Sequence, residues 1–131
     1  MSKNKFNRSL MFAIRGIAHG ISTEKNIKIQ IMIGIFIIII SLVLRIPKID
    51  FIIILLISFF VIILELINTS IERLIDKLHP NFDKEIGRIK DIMAGVVLIS
   101  VILSIIIGIM ILLEPFIASL WPLITKFEFF K

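Results

Sequence analysis

Three long apolar runs alternate with short charged segments along this chain. The runs cover residues 27–44, 51–64 and 92–113. A hydrocarbon core about 30 Å thick requires a helix of about 20 apolar residues, so the first and third runs are long enough to span a membrane. The second run is shorter, so its helix must include polar residues in order to cross the membrane. We therefore expect this helix to continue to residue 75. The pattern therefore predicts three membrane-spanning helices, over residues 27–44, 51–75 and 92–113.

The segment before the first run, residues 1–22, is basic and contains no acidic residue. Its large apolar residues recur at helical spacing, at Leu10, Ile14, Ile17 and Ile21. An amphipathic helix on an anionic membrane surface has this pattern. The alternative is a basic tail that only orients the protein in the membrane.

Proline residues predict where the spans end. Pro47 separates the first two spans, because proline lacks the backbone N–H that a residue inside a helix donates. Pro115 is expected to end the third span in the same way. The remaining residues, 114–131, carry few charges and predict an interfacial tail.

Composition supports a single membrane domain over residues 1–131. The chain is 58% hydrophobic and 19% charged, whereas soluble domains are about 45–50% apolar and about 25% charged. It has no cysteine, which excludes disulfides and thiolate metal sites. The net charge of +5 lies mostly beside apolar runs, so we expect no nucleic-acid partner. Lysine and arginine concentrate in the N-terminal segment and in the loop between the second and third spans, which predicts a cytoplasmic location for both.

The second span carries polar residues on one face. Glu65, Asn68, Glu72 and Asp76 are separated by three or four residues, so they align along one side of a helix. If the helix reaches the surface near Ser70, Glu65 lies roughly 7 Å below it. A carboxylate at the centre of a span costs about 2.5–3.5 kcal/mol, and less near the ends. The alternative to a functional site is that these polar residues only form hydrogen bonds to neighbouring helices and hold the bundle together.

Two other charged segments should lie at the same membrane surface. Glu24 precedes the first span, and Arg88, Lys90 and Asp91 precede the third. Carboxylates beside a lysine are suited to a divalent cation with a phosphate, because Mg²⁺ is usually held by one or two carboxylates and phosphate oxygens. The chain has neither a P-loop nor a Gly-rich kinase loop. These residues predict a metal–phosphate site at a membrane surface.

The residues of this predicted site also form a recognisable pair of motifs. Glu65-Leu-Ile-Asn68-Thr-Ser-Ile-Glu72-Arg-Leu-Ile-Asp76 and Gly87-Arg-Ile-Lys90-Asp91-Ile-Met-Ala-Gly95 together resemble the signature of the prokaryotic diacylglycerol kinase family, which includes the undecaprenol kinases. Thr23-Glu24-Lys-Asn26 is similar to the acidic site before the first span in that family. The resemblance covers roughly residues 8–113.

The resemblance implies an all-α membrane protein with three transmembrane helices and an N-terminal amphipathic surface helix per protomer. It further implies a homotrimer in the bacterial inner (cytoplasmic) membrane, with active sites between subunits on the cytoplasmic side. Its activity would be transfer of the ATP γ-phosphate to a membrane lipid alcohol. In this family, Glu65 would be the general base, and Asn68 would orient the base and the lipid headgroup.

The same resemblance assigns the residues that would hold MgATP. Glu24 and Glu72 would hold the Mg²⁺ that bridges the ATP phosphates. Lys90 would contact the phosphates, and Asp91 would support the nucleotide site. Gln30 stands where some members of the family have an acidic residue.

The lipid substrate has two candidates within the family. Residues 23–30 resemble the undecaprenol-kinase branch, and Ile14 lies near the position of a tryptophan found in some diacylglycerol kinases. Undecaprenol is therefore the expected substrate and diacylglycerol the alternative. A non-catalytic small membrane protein, such as a holin or a transporter accessory subunit, is the alternative from a different class.

A small-residue pattern on the third span completes the sequence predictions. Ser100, Ser104 and Gly108 repeat every four residues. Small residues at this spacing allow the backbones of two helices to approach closely. The pattern predicts a face for close helix packing.

Overall fold

The computed structural model describes residues 3–81 and 83–128, with side chains described within 4–81 and 83–120. This part of the chain forms four α-helices and contains no strand: α1 (Lys3–Thr23), α2 (Lys25–Val43), α3 (Lys48–Leu78) and α4 (Lys84–Glu128). The predicted all-α fold is confirmed. The ends of the predicted surface helix and of the predicted tail, residues 1–2 and 129–131, lie outside the described residues.

Three of these helices are long and apolar enough to cross a membrane. They are α2, α3 and α4, with candidate spans at Lys25–Val43, Lys48–Leu78 and Lys84–Leu120. Each includes one of the three apolar runs in the sequence. The protein is therefore a membrane protein with three spans, as predicted.

The connection between α2 and α3 is a tight turn. The backbone N–H of Ile46 donates to the carbonyl of Ser41 at 3.3 Å, and Pro47 immediately precedes α3. Arg45 has a φ of 52°, in the left-handed region that usually requires glycine. Because the turn is so short, α2 and α3 run antiparallel.

Asp83 begins α4 as an N-cap residue. Its Oδ1 accepts hydrogen bonds from the backbone N–H groups of Glu85 at 2.8 Å and Ile86 at 3.2 Å. These N–H groups have no partner within the helix, so the cap stabilises the first turn. The loop before α4 reverses the direction of the chain, so α4 runs antiparallel to α3 and parallel to α2.

The expectation that Pro115 stops the third helix is wrong, whereas the end of the membrane span at residue 113 stays a prediction. α4 continues through Pro115 to Glu128. Proline lacks an N–H and removes one helical hydrogen bond, but its fixed φ of about −65° is itself helical. Proline is tolerated inside apolar helices of membrane proteins. The location of residues 114–131 at a membrane interface stays a prediction.

The central helix of the bundle is α3. It packs against α2 on one side and α4 on the other. Buried apolar residues hold these contacts, namely Ile27, Ile54, Val61 and Val97. Polar residues on the faces of α3 are consequently enclosed by its two neighbours.

The C-terminal end of α1 packs against α2 and α3. Gly20 is buried at this contact, and a Cβ built on it would lie 2.7 Å from Cδ2 of Leu66. Glycine therefore allows the close approach of α1 to α3. The predicted helix in this segment is confirmed, while its position on a membrane surface stays a prediction.

The predicted small-residue packing face of α4 is only partly used. Ser100 is buried within the bundle. At Gly108, however, an added Cβ would meet no atom within 4 Å. Close packing at Gly108 is thus not used within the single chain, and packing of this face in an oligomer stays a prediction.

Candidate active site

The polar stripe predicted on the second span lies on α3 and passes from the interior of the bundle to its surface. Glu65 and Asn68 are buried, with 4% and 7% of their surfaces exposed. Glu72 is half-buried and Asp76 is exposed. The stripe therefore connects a buried carboxylate to a water-accessible one along a single helix.

A glutamine from α2 contacts the buried carboxylate. Nε2 of Gln30 donates to Oε2 of Glu65 across 3.4 Å, which is longer than the usual 2.7–3.2 Å. An amide donor favours and orients a carboxylate. The sequence assigned no role to Gln30, although a polar side chain within an apolar span was a signal that it has one.

Two buried acceptors beside this pair have no donor. Oε1 of Gln30 and Oδ1 of Asn68 are both buried, and no described residue donates a hydrogen bond to either. A buried polar atom without a partner costs about 1–3 kcal/mol. Gln30, Glu65 and Asn68 therefore place buried acceptor oxygens on two adjacent helices.

Glu24 lies where α1 meets α2 and points toward α3. It is the N-cap residue of α2, yet its side chain makes no cap hydrogen bond. Instead, Nη2 of Arg73 donates to Oε1 of Glu24 at 2.6 Å and also to Oγ1 of Thr23. The Arg73 and Glu24 side chains are 40% and 33% exposed, so the ion pair contributes little to stability. It does bring Glu24 beside the helix that carries the stripe.

On the α4 side of the stripe, Lys90 pairs with Asp76. Nζ of Lys90 lies 2.9 Å from Oδ1 of Asp76. Lys90 precedes the apolar segment of α4, and this hydrogen bond, with the nearby charges of Asp76 and Glu72, raises the pKa of its ammonium group. Lys90 is therefore a stable cation next to the stripe. Asp91 is exposed and makes no ion pair with another described residue.

Apart from Asp91, which follows Lys90 but contacts none of the other predicted residues through an ion pair, the predicted site residues form a deep group and an outer group. The deep group is Glu65 and Asn68 with Gln30. The outer group, at what we call the charged end of the bundle, consists of the Glu24–Arg73 pair, Glu72 and the Lys90–Asp76 pair.

The outer group contains no preformed metal site within the described residues. No three His, Asp or Glu side chains there lie close enough to hold an ion. Glu24 and Glu72 nevertheless supply hard carboxylate oxygens, and Glu72 has no ion pair with a described side chain. One or two carboxylates suffice for a Mg²⁺ that arrives with phosphate oxygens. The residues therefore fit a cation delivered with a phosphate ligand.

Three apolar helices with a buried carboxylate beneath paired charges define an integral membrane protein with a polar site inside its helix bundle. Comparison with known proteins is more specific. Residues 11–112 match the family model for prokaryotic diacylglycerol kinase, and the chain belongs to this family.

Two characterised relatives illustrate the range of the family. A protein of Synechocystis sp. named diacylglycerol kinase is 32% identical over 108 residues, which is 82% of this chain and 62% of the relative. A Bacillus subtilis protein named undecaprenol kinase is 31% identical over 110 residues, which is 84% of this chain and 89% of the relative. The chain thus spans less than two thirds of the first relative and most of the second. Membership favours a kinase over the non-catalytic alternative.

Proposed function

We propose that this protein is a lipid kinase that transfers the γ-phosphate of ATP to the hydroxyl of a membrane lipid alcohol, with undecaprenol as the preferred acceptor. The observation that carries the proposal is Glu65, a carboxylate that is 4% exposed in a membrane-spanning helix. Intramembrane carboxylates are costly and usually functional. A base at this depth can reach a hydroxyl that stays within the bilayer.

In this reaction, Glu65 is the general base. It accepts the proton of the lipid hydroxyl as the hydroxyl oxygen attacks the γ-phosphorus. The bond from that phosphorus to the bridging oxygen breaks, and ADP leaves with the bonding electrons. The proton stays on Glu65 until it is released to water. Asn68, one turn away on the same face, orients the base and the alcohol.

The outer group would receive the nucleotide. The cation of Lys90 contacts the phosphates, and Asp91 supports the nucleotide site. Glu24 and Glu72 would hold Mg²⁺, which would neutralise negative charge on the phosphoryl group during transfer. These roles rest on the family resemblance and on the position of the residues at the charged end.

The charged end should face the cytoplasm of the bacterial cell. It lies with the N-terminal segment and the α3–α4 loop, which together contain most of the lysines and arginines. ATP is available on that side of the inner membrane. A homotrimer with active sites between subunits is the assembly that the family resemblance supports.

Undecaprenol is favoured over diacylglycerol by the chemistry of the deep group. Diacylglycerol has two ester carbonyls that need hydrogen-bond donors. The amide of Gln30 donates one of its two N–H groups to Glu65, which leaves its second N–H and the amide of Asn68 as the donors that the deep group offers. A prenol requires one hydroxyl contact and an apolar surface.

The test is transfer of radiolabelled γ-phosphate from ATP to undecaprenol by the purified protein in mixed micelles with Mg²⁺. We expect a lipid monophosphate, identified by mass spectrometry. Absence of a phosphorylated lipid with undecaprenol and with diacylglycerol would overturn the proposed function.

A further inference from the structure

Arg73 contacts one proposed Mg²⁺ ligand and is the chain neighbour of the other, yet the proposed reaction gives it no role. It lies on α3 directly after Glu72. Its Nη2 donates to Oε1 of Glu24 at 2.6 Å and also to Oγ1 of Thr23. A fixed positive charge is thus bound to the same carboxylate that the proposed function assigns to a divalent cation.

The backbone that presents Glu24 is held by contacts other than this ion pair. Nζ of Lys28 donates to the carbonyl of Ser22 at 2.7 Å, across the turn from α1 to α2. Gly20 allows the end of α1 to approach α3 closely. Neither contact involves the guanidinium. The turn therefore has supports of its own, and the arginine is not needed to hold its backbone.

Thr23 faces the guanidinium as a hydrogen-bond acceptor. Its Oγ1 donates to the carbonyl of His19 at 2.8 Å, which uses its one hydrogen and leaves its lone pairs for another donor. Glu24 adds a second acceptor, because its side chain makes no cap hydrogen bond to α2. The two side chains form a pair of oxygens suited to a positive charge, and Arg73 occupies it.

Arg73 can leave this position at little cost. The side chains of Arg73 and Glu24 are 40% and 33% exposed, and ion pairs between exposed side chains are weak. Nη1 and Nε of Arg73 donate to no described residue. The guanidinium is thus held through one nitrogen, and its other nitrogens are available to a second anion.

We propose that Arg73 makes the outer group selective for a divalent cation bound to a nucleotide over the free cation. This inference rests on the proposed function, because it takes Glu24 as a metal ligand. Two cations on one carboxylate repel each other, so a free ion must displace the guanidinium without compensation. A nucleotide brings phosphate oxygens, which the fork of an arginine binds well. Arg73 then exchanges Glu24 for the phosphate.

Binding of Mn²⁺ without nucleotide or lipid tests the first half of this exchange. Mn²⁺ is suited to carboxylate oxygens, as Mg²⁺ is, and electron paramagnetic resonance of the unbound ion measures its affinity. Arg73→Gln removes the competing charge, so Mn²⁺ should bind about two- to fivefold more tightly than in the wild type, as expected for one exposed ion pair. A purely structural role predicts weaker binding. Equal or weaker binding would overturn the proposal.

Two controls separate this effect from general electrostatics. Lys77→Gln removes the same charge one turn further along α3, where Lys77 makes no ion pair with a described residue. It should change the affinity less than Arg73→Gln does. In a Glu24→Gln background, Arg73→Gln should have no effect, because the two residues act through one contact. An equal gain in either control would contradict competition for Glu24.

Thr23→Val is a second variant, which leaves Arg73 in place. It removes one of the two acceptors of the guanidinium and keeps nearly the same side-chain shape. Mn²⁺ binding should therefore tighten by a smaller factor than in Arg73→Gln. This variant decides the question if Arg73→Gln does not fold, and unchanged Mn²⁺ binding by folded Thr23→Val would then overturn the proposal.

Binding of a nonhydrolysable ATP analogue with Mg²⁺ tests the second half of the exchange. Arg73→Gln should weaken this binding about threefold or more, because the phosphate loses a charge-assisted hydrogen bond. Lys77→Gln should weaken it less. The same substitution thus has opposite effects on the free ion and on the nucleotide complex. Shifts of the same sign for both ligands would exclude the exchange.

These binding measurements need no lipid, so they distinguish this proposal from the proposed function. Opposite shifts in a protein that phosphorylates no lipid alcohol would support the role of Arg73 and reject the kinase. Phosphorylation of a lipid alcohol, with a Mn²⁺ affinity that Arg73→Gln does not change, would retain the kinase and overturn the selectivity proposed for Arg73.

Discussion

Nε2 of Gln30 on α2 lies 3.4 Å from Oε2 of Glu65 on α3. This contact joins α2 to the buried carboxylate that we propose as the base. It also fixes which side of α2 faces α3 at the depth of the site.

Replacement of Gln30 by Leu should separate function from stability. The change removes the donor to Glu65 together with a buried acceptor that has no partner. Loss of the unpaired acceptor is neutral or stabilising, but Glu65 loses its donor at a cost of about 1–3 kcal/mol, so the free energy of unfolding should fall by no more than about 3 kcal/mol. The kcat should fall about tenfold or more, because the base is no longer oriented.

Thermal unfolding in detergent and steady-state kinetics measure these two effects. The KM for ATP should be unchanged, since Gln30 lies in the deep group. A kcat equal to that of the wild type would show that Gln30 does not orient the base.

The fold was largely predictable from the sequence, because the physical signals are strong. Long apolar runs and Pro47 correctly predicted three long apolar helices. Pro115 misled the prediction, since the missing hydrogen bond of proline is tolerated inside an apolar helix.

The contacts of the site were less predictable. The stripe on α3 could be recognised from its spacing alone. The partner Gln30 could not, because α2 is apolar on nearly every side and its sequence does not define which face packs against α3. Ion pairs such as Glu24–Arg73 also depend on how the ends of separate helices meet, which periodicity within one helix does not specify.

Metal dependence should identify the proposed ligands of the outer group. Glu24→Ala and Glu72→Ala each remove a carboxylate oxygen donor, so the Mg²⁺ concentration for half-maximal activity should rise about tenfold. Glu85→Ala is the control, because Glu85 is an exposed carboxylate paired with Arg88. A loss of activity at saturating ATP with an unchanged Mg²⁺ titration would show that the ligand assignment is wrong.

The Lys90–Asp76 pair predicts a change in pH dependence. The hydrogen bond that Lys90 donates to Asp76 raises the pKa of Lys90, so the wild type retains this cation to higher pH. Asp76→Asn removes the carboxylate, and the pKa of Lys90 should move back toward its ordinary value. The increase in the KM for ATP at alkaline pH should therefore begin at a lower pH.

A pH series of the KM for ATP measures this shift. Glu85→Gln serves as the control, since it removes a carboxylate that lies away from Lys90. Superimposable profiles for Asp76→Asn and the wild type would exclude Lys90 as a phosphate contact that depends on Asp76.

Substrate choice within the family can be measured by competition. Undecaprenol and diacylglycerol in the same micelles should yield a ratio of kcat/KM that favours undecaprenol about tenfold or more. The reason is that a prenol needs one hydroxyl contact and an apolar surface, whereas diacylglycerol also needs donors for two ester carbonyls. Equal or better use of diacylglycerol would reject the undecaprenol assignment and leave the lipid-kinase proposal intact.

The most direct test of the central claim is the rate of phosphoryl transfer to undecaprenol by Glu65→Gln. Glutamine has nearly the same shape as glutamate but cannot accept the proton, so we expect turnover to fall by at least about a hundredfold, within the range of about 10²–10⁴-fold for general base catalysis. The matched control is Glu114→Gln, the same change at an exposed position of α4, which should retain wild-type turnover. Folding and oligomeric state should be unchanged in both variants. Turnover by Glu65→Gln within a few-fold of the wild type would contradict the assignment of Glu65 as the base.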